Sequence, residues 1–342
     1  MPDLSLYIHF PWCVAKCPYC DFNSHALRGA LPEAAYIDAL ITDMQAQAPR
    51  AAGRAISSVF MGGGTPSLFS PAALGGLLER LRNILPFEPD AEVTLEANPA
   101  TVERGRFAEY RAAGINRVSL GAQSFDGETL RTLGRIHTPR DVYRAADELH
   151  AAGLSNFNLD LMFALPGQGV AGALADLTIA LSLEPAHLSH YQLTLEPGTL
   201  FAAKPPPLPD EDTAWDMQGA CHAVLDARGF AQYEVSAFAR AGRQCRHNLN
   251  YWRFGDYLGI GAGAHGKLTR AAADAGRAPG AGELAIERST HLREPRRYLA
   301  SAAQGPAWKP VPDEDLPFEF AINAMRLNEG FDPALFTSRT GL

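Results

Sequence analysis

The sequence predicts an α/β protein whose first part is a parallel sheet, either barrel-like or doubly wound. Three observations carry this. Short β-branched and aromatic runs alternate with helical patterns over the first ~200 residues. Six strand-then-helix units stand in a row, and parallel neighbours need such crossover connections. The polar clusters fall at strand ends, and in these sheets reactive groups gather at the C-terminal ends of the strands.

The strand candidates, in order, are LSLYIHF (4–10), ISSVFMGG (56–63), EVTLEANP (92–99), RVSLGAQS (117–124), NFNLDLMFAL (156–165) and HLSHYQLTL (187–195). Helical patterns lie between them near 32–48, 71–84, 101–113, 139–152 and 170–182. Pro32 and Pro71 stand where a first helical turn accepts proline, because that turn needs no donated N–H. RAAG and HAAG close two of the helices on Gly114 and Gly153.

KPPPLPDED (204–212) reads as a stiff connector into a helix. It places a boundary between a core at 1–204 and a smaller α/β domain at 205–342. That second part is expected to hold a helix near 210–228, a strand near YEVSAFA (233–239), and the stretch CRHNLNYWRFGDYLGIGAGAHG. The Ala-, Gly- and Arg-rich segment 270–287 reads as a long mobile loop. SRTGL gives no clear terminal element, so part of this domain is expected to be absent.

Composition excludes several classes. The chain has 342 residues and a net charge of −8, unlike a general nucleic-acid binder, which is usually basic. No apolar run approaches the ~18 residues of a membrane span. The start, MPDLSLYIHFPWC, has no basic n-region, so no signal peptide is expected. Five cysteines, three of them clustered, suit a metal site in a reducing cytoplasm better than a disulfide framework.

The cluster is Cys13, Cys17 and Cys20, spaced C-x3-C-x2-C. Three buried thiols at a turn, or a zinc site completed from Cys245 and His247, are the plainer readings; zinc sites normally take four ligands. An iron–sulfur cluster is the better one. A [4Fe–4S] cube takes one ligand per iron, and three thiolates leave one iron open for something else. MGGGTPS follows the second strand; its glycines allow close backbone approach, and its amides could bind a carboxylate or an amino-acid head, unless it is simply a turn. Glu96, Gln123, Arg135 and Asp160 are polar residues on or just beyond apolar strands. Each alone reads as a satisfied core polar group or a surface charge. In series they read as a binding surface.

At these residues the chain resembles the radical S-adenosylmethionine (SAM) superfamily. YIHFPWCVAKCPYCDF, MGGGTPS, LEANP, SLGAQSF, LGRIHT, NLDLMFALPGQ and HNLNYW together resemble its branch of anaerobic coproporphyrinogen III oxidases and haem chaperones. The resemblance implies a partial (β/α)6, TIM-like barrel. It implies that Cys13, Cys17 and Cys20 hold a [4Fe–4S] cluster whose open iron takes the amino and carboxylate groups of SAM. Tyr7, Gly63 and Glu96 would contact that SAM, with Glu96 ionised and accepting from the ribose hydroxyls. Tyr19, Gly64, Thr65, Gln123, Arg135 and Asp160 would line the position where the oxidases hold a second SAM, and Thr194 would add a further contact.

The oxidases carry another Cys two residues after the third cluster Cys, and a longer N-terminal extension. Phe22 stands at that position here, and twelve residues precede Cys13. PWCVAKCPYCDFNSH and CRHNLNYW are instead similar to the haem-chaperone subgroup, which implies haem as cargo. His247 would offer imidazole to the iron, and Tyr251 and Trp252 would pack on the porphyrin. Cys245 is an alternative ligand, and His265 in GAGAHG is another without further support. The implied function is haem binding and delivery to acceptor proteins, a membrane protein among the candidates. An electron donor and a homodimer are further expected partners, and nucleic acid is not one. The alternative is an enzyme, oxygen-independent coproporphyrinogen III dehydrogenase, using a 5′-deoxyadenosyl radical.

Overall fold

The computed structural model describes residues 1–101, 106–272 and 284–342. Twelve strands form one sheet: β1 (Leu4–Phe10), β2 (Ile56–Gly63), β3 (Phe87–Ala97), β4 (Arg117–Gln123), β5 (Phe157–Phe163), β6 (His187–Gln192), β7 (Ala231–Glu234), β8 (Ala237–Ala239), β9 (Asp256–Ile260), β10 (His265–Ala271), β11 (Leu284–Thr290) and β12 (Ala307–Pro310). Their order is β12-β11-β10-β9-β1-β2-β3-β4-β5-β6-β8-β7. From β9 through β1 to β6 all neighbours are parallel, and the outer pairs are antiparallel.

The helices between the strands are α1 (Glu33–Gln47), α2 (Pro71–Ile84), α3 (Arg106–Ala112), α4 (Pro139–Ala151) and α5 (Val170–Ser182). Their starts are fixed locally. Ser70 accepts from Ala73 N at 3.2 Å with Pro71 at the first helical position, and the Asp141 carboxylate accepts from Thr138 N at 2.8 Å. The sequence-predicted helix at 101–113 is observed from Arg106; its residues 102–105 lie outside the described residues.

Side chains alternate along each strand, and this alternation builds the interior. One face carries Leu4, Leu6, Ile8, Val59, Met61, Val93, Leu95, Val118 and Leu120, which join one buried cluster with Leu40, Leu77, Phe107 and Val142 of the helices. Each such fully buried side chain contributes roughly 1.5–3 kcal/mol. The residues between them are largely polar: Ser5, Tyr7 and His9 on β1; Glu92, Thr94 and Glu96 on β3; Arg117, Ser119 and Gln123 on β4. By the same alternation they share the opposite, concave face.

The chain after residue 205 extends this sheet at both edges. Helix α6 (Glu211–Ala227) begins at Asp210, which accepts from Thr213 N at 2.7 Å. The stretch 233–239 is not one strand but two arms, β7 and β8, turning at 235–236. Of the segment expected to be a loop, 270–287, residues 273–283 lie outside the described residues; at its ends β10 runs to Ala271 and β11 begins at Leu284, and these two strands pair in register across seven positions. Helix α7 is Arg246–Trp252, followed by α8 (Pro295–Ser301) and α9 (Leu316–Ala324). The chain closes on helix α10 (Pro333–Thr340), where the sequence showed no terminal element.

Helix α7 packs on the concave face. Ser5, Ser58 and Glu92 stand in register on three adjacent strands. The Glu92 carboxylate accepts from the backbone N–H groups of Arg246 and His247, each at 3.2 Å, so the first turn of α7 sits on a buried anion. Asn250 donates to Ser5 Oγ at 2.9 Å, and His247 Nδ1 hydrogen-bonds Ser58 Oγ at 3.1 Å. One end of the partial barrel is thereby filled, and the C-terminal ends of the strands remain free to form a cleft.

Candidate cofactor cleft and adjoining cavity

The cleft lies at the C-terminal ends of β1–β6. Cys13 ends a two-residue strand, Trp12–Cys13, paired with His25–Ala26. Its loop is drawn tight: Cys20 N donates to Cys17 O at 3.2 Å, His25 N to Pro11 O at 2.7 Å and Leu27 N to Cys13 O at 2.8 Å. All three thiols are free and half-buried. They line one cleft together with Tyr19, Gly63, Gly64, Thr65, Glu96, Gln123, Arg135 and Asp160. These eight residues come from the cysteine loop, four separate strands or strand ends, and, for Arg135, the turn after the short helix Gly127–Thr132. The cleft has a volume of about 150 Å³ and opens to solvent.

The donor set fits a cluster. Among the described residues no three His, Cys, Asp or Glu side chains converge closely enough for a single metal ion. A cluster asks something different, one thiolate for each of several irons. Arg135 places Nη1 3.8 Å from Cys17 Sγ and anchors Nη2 on Gly121 O at 2.8 Å, so a buried cation faces the thiols. Burial pushes the Cys13 thiol up and a hydrogen bond with Thr65 works against this, so ligation would release a proton here.

The glycine loop is tied to the cysteine loop. Gly64 N donates to Phe10 O and Thr65 N to Trp12 O, both at 2.7 Å, and Gly63 N donates to Glu96 Oε2 at 3.1 Å. The expected nest of free amides is therefore absent at these three positions, because the amides are spent on the chain. Glycine is required instead by closeness. A Cβ on Gly64 would stand 2.6 Å from Trp12 O, and Gly63, at φ +108°, has the His9 ring against it.

The carboxylates are unusual. Glu96 is pushed up to about 8, chiefly by burial and then by Asp160, with the Gly63 hydrogen bond opposing. In this state it is mainly protonated at neutral pH, not ionised as the sequence suggested. Asp160 is also raised by burial, although Asn158 donates to it at 2.7 Å. Gln123 accepts from the Tyr191 hydroxyl at 2.6 Å and holds a left-handed backbone at φ 66°, strain of about 1–3 kcal/mol of the kind found at binding sites.

Tyr7 lines a second cavity that shares Phe22, Gly63 and Glu96 with the cleft. Its other walls are His9, Asn23, Tyr251, Tyr257, Gly263, His265 and Arg293. Tyr7 hydrogen-bonds His9 Nδ1 at 2.9 Å, and His9 Nε2 meets Asn23 O at 2.9 Å. The Asn23 side chain donates to Ala262 O at 2.8 Å and Arg293 O at 2.9 Å, which joins the cysteine loop to the far wall.

Four expected site residues stand apart from these two cavities. Thr194 is exposed, donates to Glu196 at 2.8 Å and does not line the cleft, because β6 ends two residues earlier at Gln192. His247 is 1 % exposed, engages Ser58 with one ring nitrogen and Tyr251 OH (2.8 Å) with the other, and is pushed down to about 3 by burial and then by Arg117. It lines neither cavity and has no free nitrogen for iron. Trp252 also lines neither, and lies under the Arg326 guanidinium at 4.4 Å. Cys245 is buried with its thiol on Glu92 Oε1 at 3.5 Å. Only Tyr251 of the HNLNYW aromatics reaches a cavity. The sequence reading overlooked Ser119, Tyr191, His9, Tyr257 and Arg293; the period-2 polar face marks the first three.

A sheet of this order, with three free thiols and a polar ring at its C-terminal edge, defines a radical SAM protein. The chain matches the Radical SAM superfamily over residues 7–174. Within it the chain belongs to the family of the HemW haem chaperones. It is 51 % identical to the heme chaperone HemW of Escherichia coli, over 100 % of this chain and 87 % of that one. The HemW of Haemophilus influenzae is 49 % identical with the same coverage. Among solved structures, coproporphyrinogen III oxidase (HemN) from Escherichia coli, a radical SAM enzyme, superposes with a TM-score of 0.81 at 25 % identity, over 100 % of this chain and 79 % of that one. Among the described residues no helix is long and apolar enough to cross a membrane.

Proposed function

We propose that this protein binds haem and delivers it to acceptor proteins, with a [4Fe–4S] cluster on Cys13, Cys17 and Cys20 and SAM beside it. The observation that carries the reading is the pair of joined cavities. One is a polar cleft walled by three thiols; the other is walled by aromatic rings, two histidines and an arginine, the chemistry that an amphipathic tetrapyrrole with carboxylate arms needs. When bound, the cluster supplies one-electron chemistry and an open iron for SAM. Arg135 neutralises charge at Cys17, Glu96 faces the ligand from the shared wall, Tyr7 stands beside it in the second cavity, and Gln123, Asp160 and Thr65 line the remainder of the cleft. Phe22, 60 % exposed, stands between the two sites at the position where oxidases have a further Cys. The acceptor, an electron donor, homodimerisation and a cytoplasmic location belong to the same proposal.

Anaerobic reconstitution with iron and sulfide, followed by haem titration, tests it. A broad cluster absorption plus a stoichiometric Soret band, without turnover of coproporphyrinogen, supports the chaperone. SAM-dependent release of CO2 from coproporphyrinogen without specific haem binding would establish the decarboxylase instead.

A further inference from the structure

The second cavity contains one histidine with a coordinating nitrogen to spare, and it is not in HNLNYW. His9 and His247 each use both ring nitrogens within the chain. His265 opens β10 at the rim and is exposed. Its Nδ1 lies 3.3 Å from Thr290 Oγ1, and Nε2 has no partner among the described residues. A proton on Nδ1 held by the Thr290 hydroxyl oxygen leaves the Nε2 lone pair for a metal, the usual arrangement of ligating histidines. Burial and the nearby Arg288 and Arg293 hold the imidazole below its ordinary value, which keeps it neutral.

The surroundings suit a large flat ligand with acidic arms. Phe22, Tyr251 and Tyr257 present rings, with Tyr251 and Tyr257 packed edge-on at 4.4 Å. Arg288 donates to the Tyr257 hydroxyl at 3.0 Å and fixes that ring. Past His265 the surface continues into a depression walled by Tyr257, Arg288, and Phe318, Glu319 and Ile322 of α9, where the Glu319 carboxylate pairs with Arg288 and Phe318 is 71 % and Ile322 59 % exposed. Arg293 stands on the cavity wall with no carboxylate in ion-pair range among the described residues.

We propose that haem occupies this second cavity with His265 Nε2 as its axial ligand and Arg293 on a propionate, and that His247 acts only by positioning Tyr251. The assignment rests on the haem-binding reading above. The motif histidine and the rim histidine then have separable effects: one orients a wall, the other touches iron.

The test is haem titration of the full reconstituted chain, read by absorption and electron paramagnetic resonance. His265→Gly is expected to weaken haem binding at least about tenfold and to shift the Soret band, and added imidazole to restore the wild-type spectrum. His247→Ala is expected to weaken binding while keeping the wild-type spectrum, with no response to imidazole. Arg293→Gln is expected to lose about fivefold for haem and nothing for haem dimethyl ester, which lacks the acid groups. A wild-type spectrum and affinity in His265→Gly, or imidazole rescue of His247→Ala instead, overturns the ligand assignment while the haem reading stands. Absence of haem binding by the wild type overturns both. Equal losses for haem and its ester remove Arg293 from the propionate.

Discussion

Replacing Glu96 by Gln is expected to stabilise the cofactor-free protein and to weaken SAM binding. The carboxyl is held at about 8 in the fold against 4.5 in an unfolded chain, because burial and Asp160 disfavour its charge. A carboxyl raised in this way works against folding at high pH: the unfolded chain loses its proton from about pH 4.5 upward, while the folded chain keeps it. The whole gap, at 1.36 kcal/mol per pH unit, is about 5 kcal/mol, of which about 3.4 kcal/mol is present at pH 7. Glu96 is only half-buried and its edge reaches an open cleft, so water screens much of this. We expect about 1–2 kcal/mol at pH 7, or roughly 1.5–3 °C in Tm for a chain of this length. Gln has the same shape, carries no charge, and its amide oxygen can still accept from Gly63 N. Thermal unfolding of wild type and variant at pH 5, 7 and 8.5, without iron, is the assay. The two should nearly coincide at pH 5 and separate as pH rises. A difference that does not change with pH, or a variant less stable than wild type at pH 8.5, would refute the assignment of burial strain to this carboxyl. Equilibrium SAM binding to the reconstituted protein should fall about tenfold, the worth of one good hydrogen bond.

Other expectations follow from the same geometry. Cys17→Ala should abolish the cluster, since it removes one of three thiolates beside Arg135; full iron and sulfide in the purified variant would sink the cluster assignment. Asp256→Asn should cost about 3–5 kcal/mol, because Lys267, 1 % exposed and 3.0 Å from the carboxylate, would lose its counter-charge; an unchanged Tm would contradict this. His247→Ala should lower Tm by about 5–10 °C, through a cavity and the unpartnered Ser58 and Tyr251 hydroxyls, while iron content stays at the wild-type level. Asn23→Ala should loosen Ala262 and Arg293 and weaken haem binding without loss of iron; loss of the cluster would show that the cysteine loop depends on this anchor.

Much of the scaffold is written locally. The runs at 4–10 and 56–63 are hydrophobic on the face under the helices and bounded by turn residues, and the helices at 71–84 and 170–182 open on Ser70–Pro71 and Gly169. Those ends match the sequence reading because nothing distant is needed to set them. The cleft was legible for a different reason: its residues sit at strand ends, and a parallel sheet brings strand ends together. Thr194 failed because the strand phase was carried past Gln192, where the chain leaves the ladder. The inward turn of His247 was not legible, because its partners, Ser58 and Glu92, come from strands far earlier in the chain and a one-dimensional motif does not say which way its side chains turn. The alternation Glu92-Thr94-Glu96 and Arg117-Ser119-Gly121-Gln123 was a signal left unread. It separates an inner polar wall from the outer apolar one, and it would have named Ser119.

The position of β1 also has a consequence for synthesis. This first strand is flanked by β2 on one side and by β9 on the other, so one whole edge waits for residues beyond 256. The polar row of Ser5, Ser58 and Glu92 likewise waits for α7. While the chain is still emerging from the ribosome, the half-built sheet carries an open edge and a buried-type carboxylate with no amides to meet it. Such long-range closure folds slowly and invites mispairing. The sheet cannot close on β1 until the residues of β9 have been made.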